Sequence, residues 1–195
     1  MRPQVTFKTS QPLQEHILQT DSSADAMDEL RATRDRAMDF FADRVTVLDH
    51  IEDLAGIEYR GFTDIDIYVF SGRDTSVSSP IMLAARDDEQ VMFVETVYFL
   101  AKELLYQNLD RMEQGHEMLE PGKDRFDVTA GMLAHRAIER IESSDFIDTV
   151  LDSDAFDDQR ETWEDVQDRM ADWDDSEQTL VQHLDIDVER PDEEG

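Results

Sequence analysis

Val91-Met-Phe-Val-Glu95-Thr-Val-Tyr-Phe-Leu100-Ala-Lys102-Glu103-Leu-Leu-Tyr106-Gln-Asn108-Leu-Asp-Arg-Met112 is the most apolar segment of this chain. Val94, Val97, Leu100, Leu104 and Leu105 recur at the three- and four-residue spacing of a helix face. Val91, Phe93 and Phe99 add apolar side chains on the remaining faces. A helix that is apolar nearly all round is buried rather than half-solvated. The segment therefore predicts a central helix with other elements packed around it, and it sets the fold class.

Working outward towards the N-terminus, Pro80 to Ala85 reads as a strand, and Asp87-Asp88 as a turn or cap before the central helix. Ser71 to Ser79 is a polar loop. Ile65, Ile67 and Val69 alternate on one face of a strand, and Ile57 to Gly61 reads as another. Apolar residues from Met27 to Leu54 follow helical spacing, broken near Arg44, with Gly56 as the stop. Residues 1–23 are mostly irregular; Val5 and Phe7 suggest a short edge strand, and Asp21-Ser-Ser23 a helix cap.

Towards the C-terminus, Gly115 and Pro121-Gly122 mark a loop, and Thr129 to Ile141 forms a helix through Met132, Leu133, Ala137 and Ile138. From Asp152 to Gly195 eighteen acidic residues face only Arg160, Arg169 and Arg190, half the net charge of the chain. Trp163, Val166, Met170 and Trp173 still form one helical stripe, with a weaker one at Leu180, Val181 and Leu184, which predicts a helix docked on the core. These patterns predict an α+β chain, predominantly helical with a small mixed sheet. They divide it into a core, residues 1–151, and an acidic C-terminal helical appendage, residues 152–195, with a disordered end after Glu189.

The 195 residues carry 48 acidic and 18 basic side chains, a formal net charge of −30. Lysine is confined to Lys8, Lys102 and Lys123. A hydrophobic fraction of 39% nevertheless supports a core. This balance opposes direct nucleic-acid binding, which needs basic patches. With no cysteine, disulfides, thiolate metal sites and cysteine nucleophiles are excluded. No apolar run approaches the roughly 20 residues that cross a bilayer, and Met1 to Lys8 lacks a signal peptide's apolar stretch. The expectation is a cytoplasmic protein, with a virion as the alternative location. An acidic, lysine-poor composition resembles that of proteins from salt-in halophiles, notably haloarchaea and their viruses. Their carboxylates bind water and, weakly, solvent cations, while molar salt screens the self-repulsion.

Leu100-Ala-Lys102-Glu103-Leu-Leu-Tyr106-Gln-Asn108 resembles the HExxH helix of zincin metallopeptidases. There two histidines one turn apart hold zinc, and the intervening glutamate is the general base. Ile65 to Gly72 and Ser79 to Ala84 are similar to the strands that precede and line the cleft in those families. Thr129-Ala-Gly-Met-Leu-Ala-His135-Arg-Ala-Ile138 resembles the downstream helix that supplies the third ligand. The resemblance spans residues 25–150 and implies a minimal zincin-like core. It places Lys102 and Tyr106 at the two histidine positions, Glu103 at the base and His135 at the third ligand. A protonated lysine has no lone pair to offer a metal. The comparison thus implies a degenerate site without metal or other cofactor, in which Lys102 pairs with Glu103 or with Glu95 seven residues earlier.

Of the remaining histidines, His16, His50 and His183 read as structural or solvated, and His116 as a loop residue near the cleft. Ser71-Gly72-Arg73-Asp74 lacks the glycines and lysine of a phosphate loop. Three functions follow. The first is a non-catalytic pseudoenzyme with a structural or protein-interaction role, acting through a protein partner or a homo-oligomer. The second is a head–tail connector or tail component of a haloarchaeal tailed virus, and the third an active metal-dependent hydrolase built on Glu103 and His135.

Overall fold

A computed structural model describes residues 3–60, 64–73, 75–78, 80–113 and 124–188. His116, the loop at Pro121-Gly122 and the end after Glu189 lie outside the described residues. The chain is α+β and mainly helical, as its periodicity predicts. Strand β1 (Gln4–Lys8) leads through a π-helix (Leu13–Leu18) to helices α1 (Ala24–Ala42) and α2 (Val47–Ala55). Strands β2 (Asp64–Phe70), β3 (Val77–Ser78) and β4 (Ile81–Ala84) come next, followed by α3 (Glu89–Asn108) and a short strand β5 (Met112–Glu113). Helices α4 (Asp124–Glu139), α5 (Ser144–Leu151), α6 (Arg160–Met170) and α7 (Leu180–His183) precede β6 (Asp187–Val188).

Four strands form one mixed sheet in the order β1-β2-β4-β3, with β1, β2 and β4 parallel and β3 antiparallel to β4. Alternation along the strands sends Phe7, Ile65, Ile67, Val69, Ile81 and Leu83 to the buried inner face. The helices cover that face, and Phe7 meets Phe41 of α1 with ring centroids 5.7 Å apart. Helix α3 starts at Asp88, whose side chain accepts from the Gln90 N–H at 2.8 Å, a normal N-cap. Every residue from Val91 to Ala101 is buried, because α3 lies between the sheet and α1 on one side and α4 and α5 on the other. Phe93 illustrates this enclosure, with Phe40 of α1 and Phe146 of α5 against its ring.

Two local expectations change. Residues 57–60 are not a strand: the Tyr59 N–H donates to Glu52 of α2, and the Tyr59 hydroxyl donates to the Leu100 carbonyl of α3 at 2.9 Å. Asn108 donates to the Glu58 carbonyl at 3.0 Å. Side chains of two helices thus satisfy backbone groups that a sheet ladder would otherwise claim. In the polar loop, Val77-Ser78 forms the antiparallel edge strand β3, too short to leave an alternation in the sequence.

The long N-terminal helix does break near Arg44, between α1 and α2. Gly56 caps α2 with φ +78°, and a Cβ there would lie 2.6 Å from Thr179 Oγ1. That close approach brings the C-terminal segment onto α2. Gly131 does the same on α4, where an added Cβ would lie 2.5 Å from Val166 Cγ2 of α6. Trp163, Val166, Met170, Trp173, Leu180 and Ile186 belong to the same hydrophobic cluster as α3 and the sheet. Strand β6 also pairs with β5. A boundary at residue 151 therefore crosses one continuous core, and the segment after Asp152 completes that core while its described acidic residues, Asp175 apart, are exposed.

Candidate functional site

Helix α3 loses its complete burial at Lys102, where the four positions of the suspected degenerate site begin. The Lys102 ammonium lies 2.7 Å from the Asp127 carboxylate on α4 and 5.2 Å from the centre of the Tyr98 ring. Its carbon stem and charge are thus held between α3 and the first turns of α4. Neither of the expected partners pairs with it. Consecutive helical residues diverge by about 100°, so Glu103 faces elsewhere, and seven residues separate Glu95 by about 10 Å along the axis. Glu103 instead accepts from Gln107 one turn on, at 2.8 Å. It also lies close enough to Tyr59 to add to the effect of burial, the main cause, and of Glu52 in pushing that phenol well up. Tyr106 is 60% exposed and faces solvent.

His135 is 4% exposed on α4. Its ring nitrogens stand 3.6 Å from Glu139 and 3.8 Å from Asp148 of α5, and neither makes a hydrogen bond. Burial lowers its pKa, outweighing the upward pull of Glu139 and Asp148. Asp127 and His135 are eight residues apart on α4, about 12 Å along its axis. The α3 positions and His135 are therefore not brought to one point, and no Glu103–His135 pair forms for a hydrolytic reaction.

The donor set does not fit a zincin metal. One ligand position is an ion-paired ammonium, another an exposed phenol, and the third a histidine turned towards α5. Among the described residues no group of three or more histidine, aspartate or glutamate side chains is arranged to hold a metal ion.

A different charged centre escaped the sequence reading. Glu95 is 1% exposed within the apolar stretch of α3. Arg86, just after β4, donates to it through Nη2 at 3.1 Å, and Ser76 Oγ donates at 3.1 Å. Ser76 Oγ in turn accepts from the Ala84 N–H at 2.8 Å. Burial raises the Glu95 pKa, with Arg86 and Ser76 opposing the rise. The carboxylate thereby ties the loop before β3, the end of β4 and α3 together. The available signal was a carboxylate in an apolar run with no basic residue one turn away, since a buried acid requires a partner. Beside this centre, a cleft of about 240 Å³ opens beyond the C-terminal ends of β2 and β4, lined by Glu29, Thr33, Ser71, Arg86 and Asp87. Arg86 lines the cleft while pairing with Glu95, so this guanidinium is held in a structural pair rather than presented alone.

No helix among the described residues is long and apolar enough to cross a membrane. No family model matches the chain, and neither a curated protein nor a solved structure matches it. The class that can be stated is thus that of the fold: an α+β, mainly helical protein with a small mixed sheet.

Proposed function

We propose that this chain is a non-catalytic, metallopeptidase-like protein of a salt-in halophile that works by binding a protein partner. The observation that carries the reading is the Lys102–Asp127 ion pair between α3 and α4. The resemblance implies a metal joining those two helices; here a cation fixed on one helix meets a carboxylate on the other. A single-charge pair joins the helices where the resemblance places the metal, and Glu103, the expected base, accepts from Gln107. The dense surface charge supports a setting of high salt, in which carboxylates keep the protein hydrated while its self-repulsion is screened. Such a protein acts in the cytoplasm of its cell.

The test is hydrolysis of a mixed peptide library by the purified chain in molar potassium chloride, followed by mass spectrometry, with Glu103→Gln as comparison. The reading expects no cleavage above buffer in either sample. Cleavage that added zinc enhances and Glu103→Gln abolishes would refute it.

A further inference from the structure

The two faces of the sheet are covered differently. Helices cover the inner face. On the outer face the strand register sets Lys8, Tyr68, Met82 and Val77 side by side in one row across all four strands. Among the described residues, the cover this face receives is the π-helix, whose Leu13 and Leu18 close one end over Phe70 and Ala84. Between that helix and the row runs a groove of about 520 Å³ lined by Leu13, His16, Ile17, Tyr68, Pro80 and Met82. Ile17 is 67% exposed and Val77 45% exposed, two of the four large hydrophobic side chains so exposed among the described residues. On a chain of net charge −30, a groove lined by no carboxylate is a marked departure from its surroundings.

We infer that this groove is the docking site for an amphipathic helix of a partner protein that carries arginine or lysine beside its apolar stripe. The inference rests on the interaction reading above and specifies the partner. A helix laid on the open sheet face supplies the missing layer of a helix–sheet–helix arrangement, and an apolar stripe in an apolar groove is a recurrent mode of recognition. The charge of the occupant follows from the flanks. Thr6 and Asp66, then Gln4 and Asp64, continue the outer face beyond the apolar row, and Glu15 stands exposed on the π-helix. Lys8, paired with Asp66, is one cation against the three carboxylates Asp66, Asp64 and Glu15 at these positions. Molar salt screens charge beyond about 3 Å but not pairs in contact, so arginine set against Asp64 or Glu15 favours a basic partner, whereas a second copy would bring like charges to those contacts.

The experiment uses the full chain and a fluorescent synthetic peptide of about 16 residues, four helical turns, with leucines on one face and arginines beside them. A peptide of the same composition, scrambled to destroy the stripe, is the comparison, and both are titrated in molar potassium chloride. Ile17→Asp and Val77→Asp alter exposed side chains, so retained near-ultraviolet circular dichroism confirms that they fold. Glu164→Gln on α6 serves as the remote control. The expected result is binding of the striped peptide, weakened about tenfold or more by Ile17→Asp or Val77→Asp, as for loss of an interface anchor, and unchanged by Glu164→Gln. Equal affinity for the scrambled peptide, or unaltered binding by both Ile17→Asp in the groove and Val77→Asp in the adjoining row, overturns the proposal. Sedimentation showing a dimer that Ile17→Asp dissociates also overturns it, by giving the groove to a second copy. Failure of the non-catalytic reading would instead appear as zinc-dependent cleavage, which these groove variants leave unchanged.

Discussion

Replacing Arg86 by Met isolates the contribution of the buried charge centre. Glu95 would keep its Ser76 hydrogen bond and lose the guanidinium that lies 3.1 Å from its carboxylate. Removing one member of a buried pair costs about 3–5 kcal/mol, because the remaining charge stays in a medium that solvates it poorly. For a chain of this size that corresponds to a fall in melting temperature of roughly 6–20 °C. The effect should depend on pH with a definite sign. The Glu95 pKa is raised from 4.5 in the folded protein, so the folded state takes up its proton more readily than the unfolded state. Its burden on stability is absent below the unfolded value and grows as pH rises through the folded one. Without Arg86 the folded value rises further, so Arg86→Met should lose more stability at pH 8 than at pH 5. The assay is urea unfolding in molar potassium chloride, followed by the fluorescence of Trp163 and Trp173, both buried in the core. Glu95→Gln in the Arg86→Met background should recover much of the loss, since the double variant buries no lone charge. A midpoint for Arg86→Met indistinguishable from the parent at both pH values would refute this account of Glu95.

Further outcomes follow from the same structure. Deleting residues 153–195 should unfold the chain rather than release a stable domain. It strips Phe156, Trp163, Val166, Met170, Trp173, Leu180, Val181 and Ile186 from the core, at about 2 kcal/mol each by transfer, which together rivals the net stability of a domain; a cooperative melt of the truncated chain would contradict this. His135 has a folded pKa below 6.5, so its contribution is fully present above that value and is lost as pH falls through the folded pKa. His135→Leu should therefore flatten the decline of melting temperature on acidification just below pH 6.5, and an identical decline in the variant would exclude His135 as its source. Dialysis from molar to about 0.01 M salt lengthens the Debye screening distance to about 30 Å and should unfold the chain at −30 net charge; unchanged circular dichroism would count against salt adaptation.

The helices were legible because their signals are local and redundant. Apolar spacing located α1, α2 and α3, Gly56 marked the end of α2, and Trp163, Val166 and Met170 declared the buried face of α6. Strands β2 and β4 were legible for the same reason. Tyr59 misled the reading, because an apolar–polar alternation beside it is equally well made by a ring that inserts between helices. The π-helix Leu13–Leu18 left no periodic trace, since its six residues complete barely more than one turn. The site was legible only as a set of suspects. That Lys102 is a cation was plain, but its partner Asp127 lies on another helix 25 residues further on, and no spacing rule reaches that far. Arg86 and Glu95 are nine residues apart with a helix start between them, so only the folded path of the chain brings them together.

The central claim is that the junction of α3 and α4 is joined by an ion pair and holds no catalytic metal. The most direct measurement is the zinc content of the purified chain after exposure to excess zinc and desalting into molar potassium chloride, taken by elemental mass spectrometry for the parent and for Lys102→Ala. The account predicts zinc well below one per chain in both. One zinc per chain in the parent, lost together with peptide cleavage when Glu103 and His135 are replaced, would contradict it.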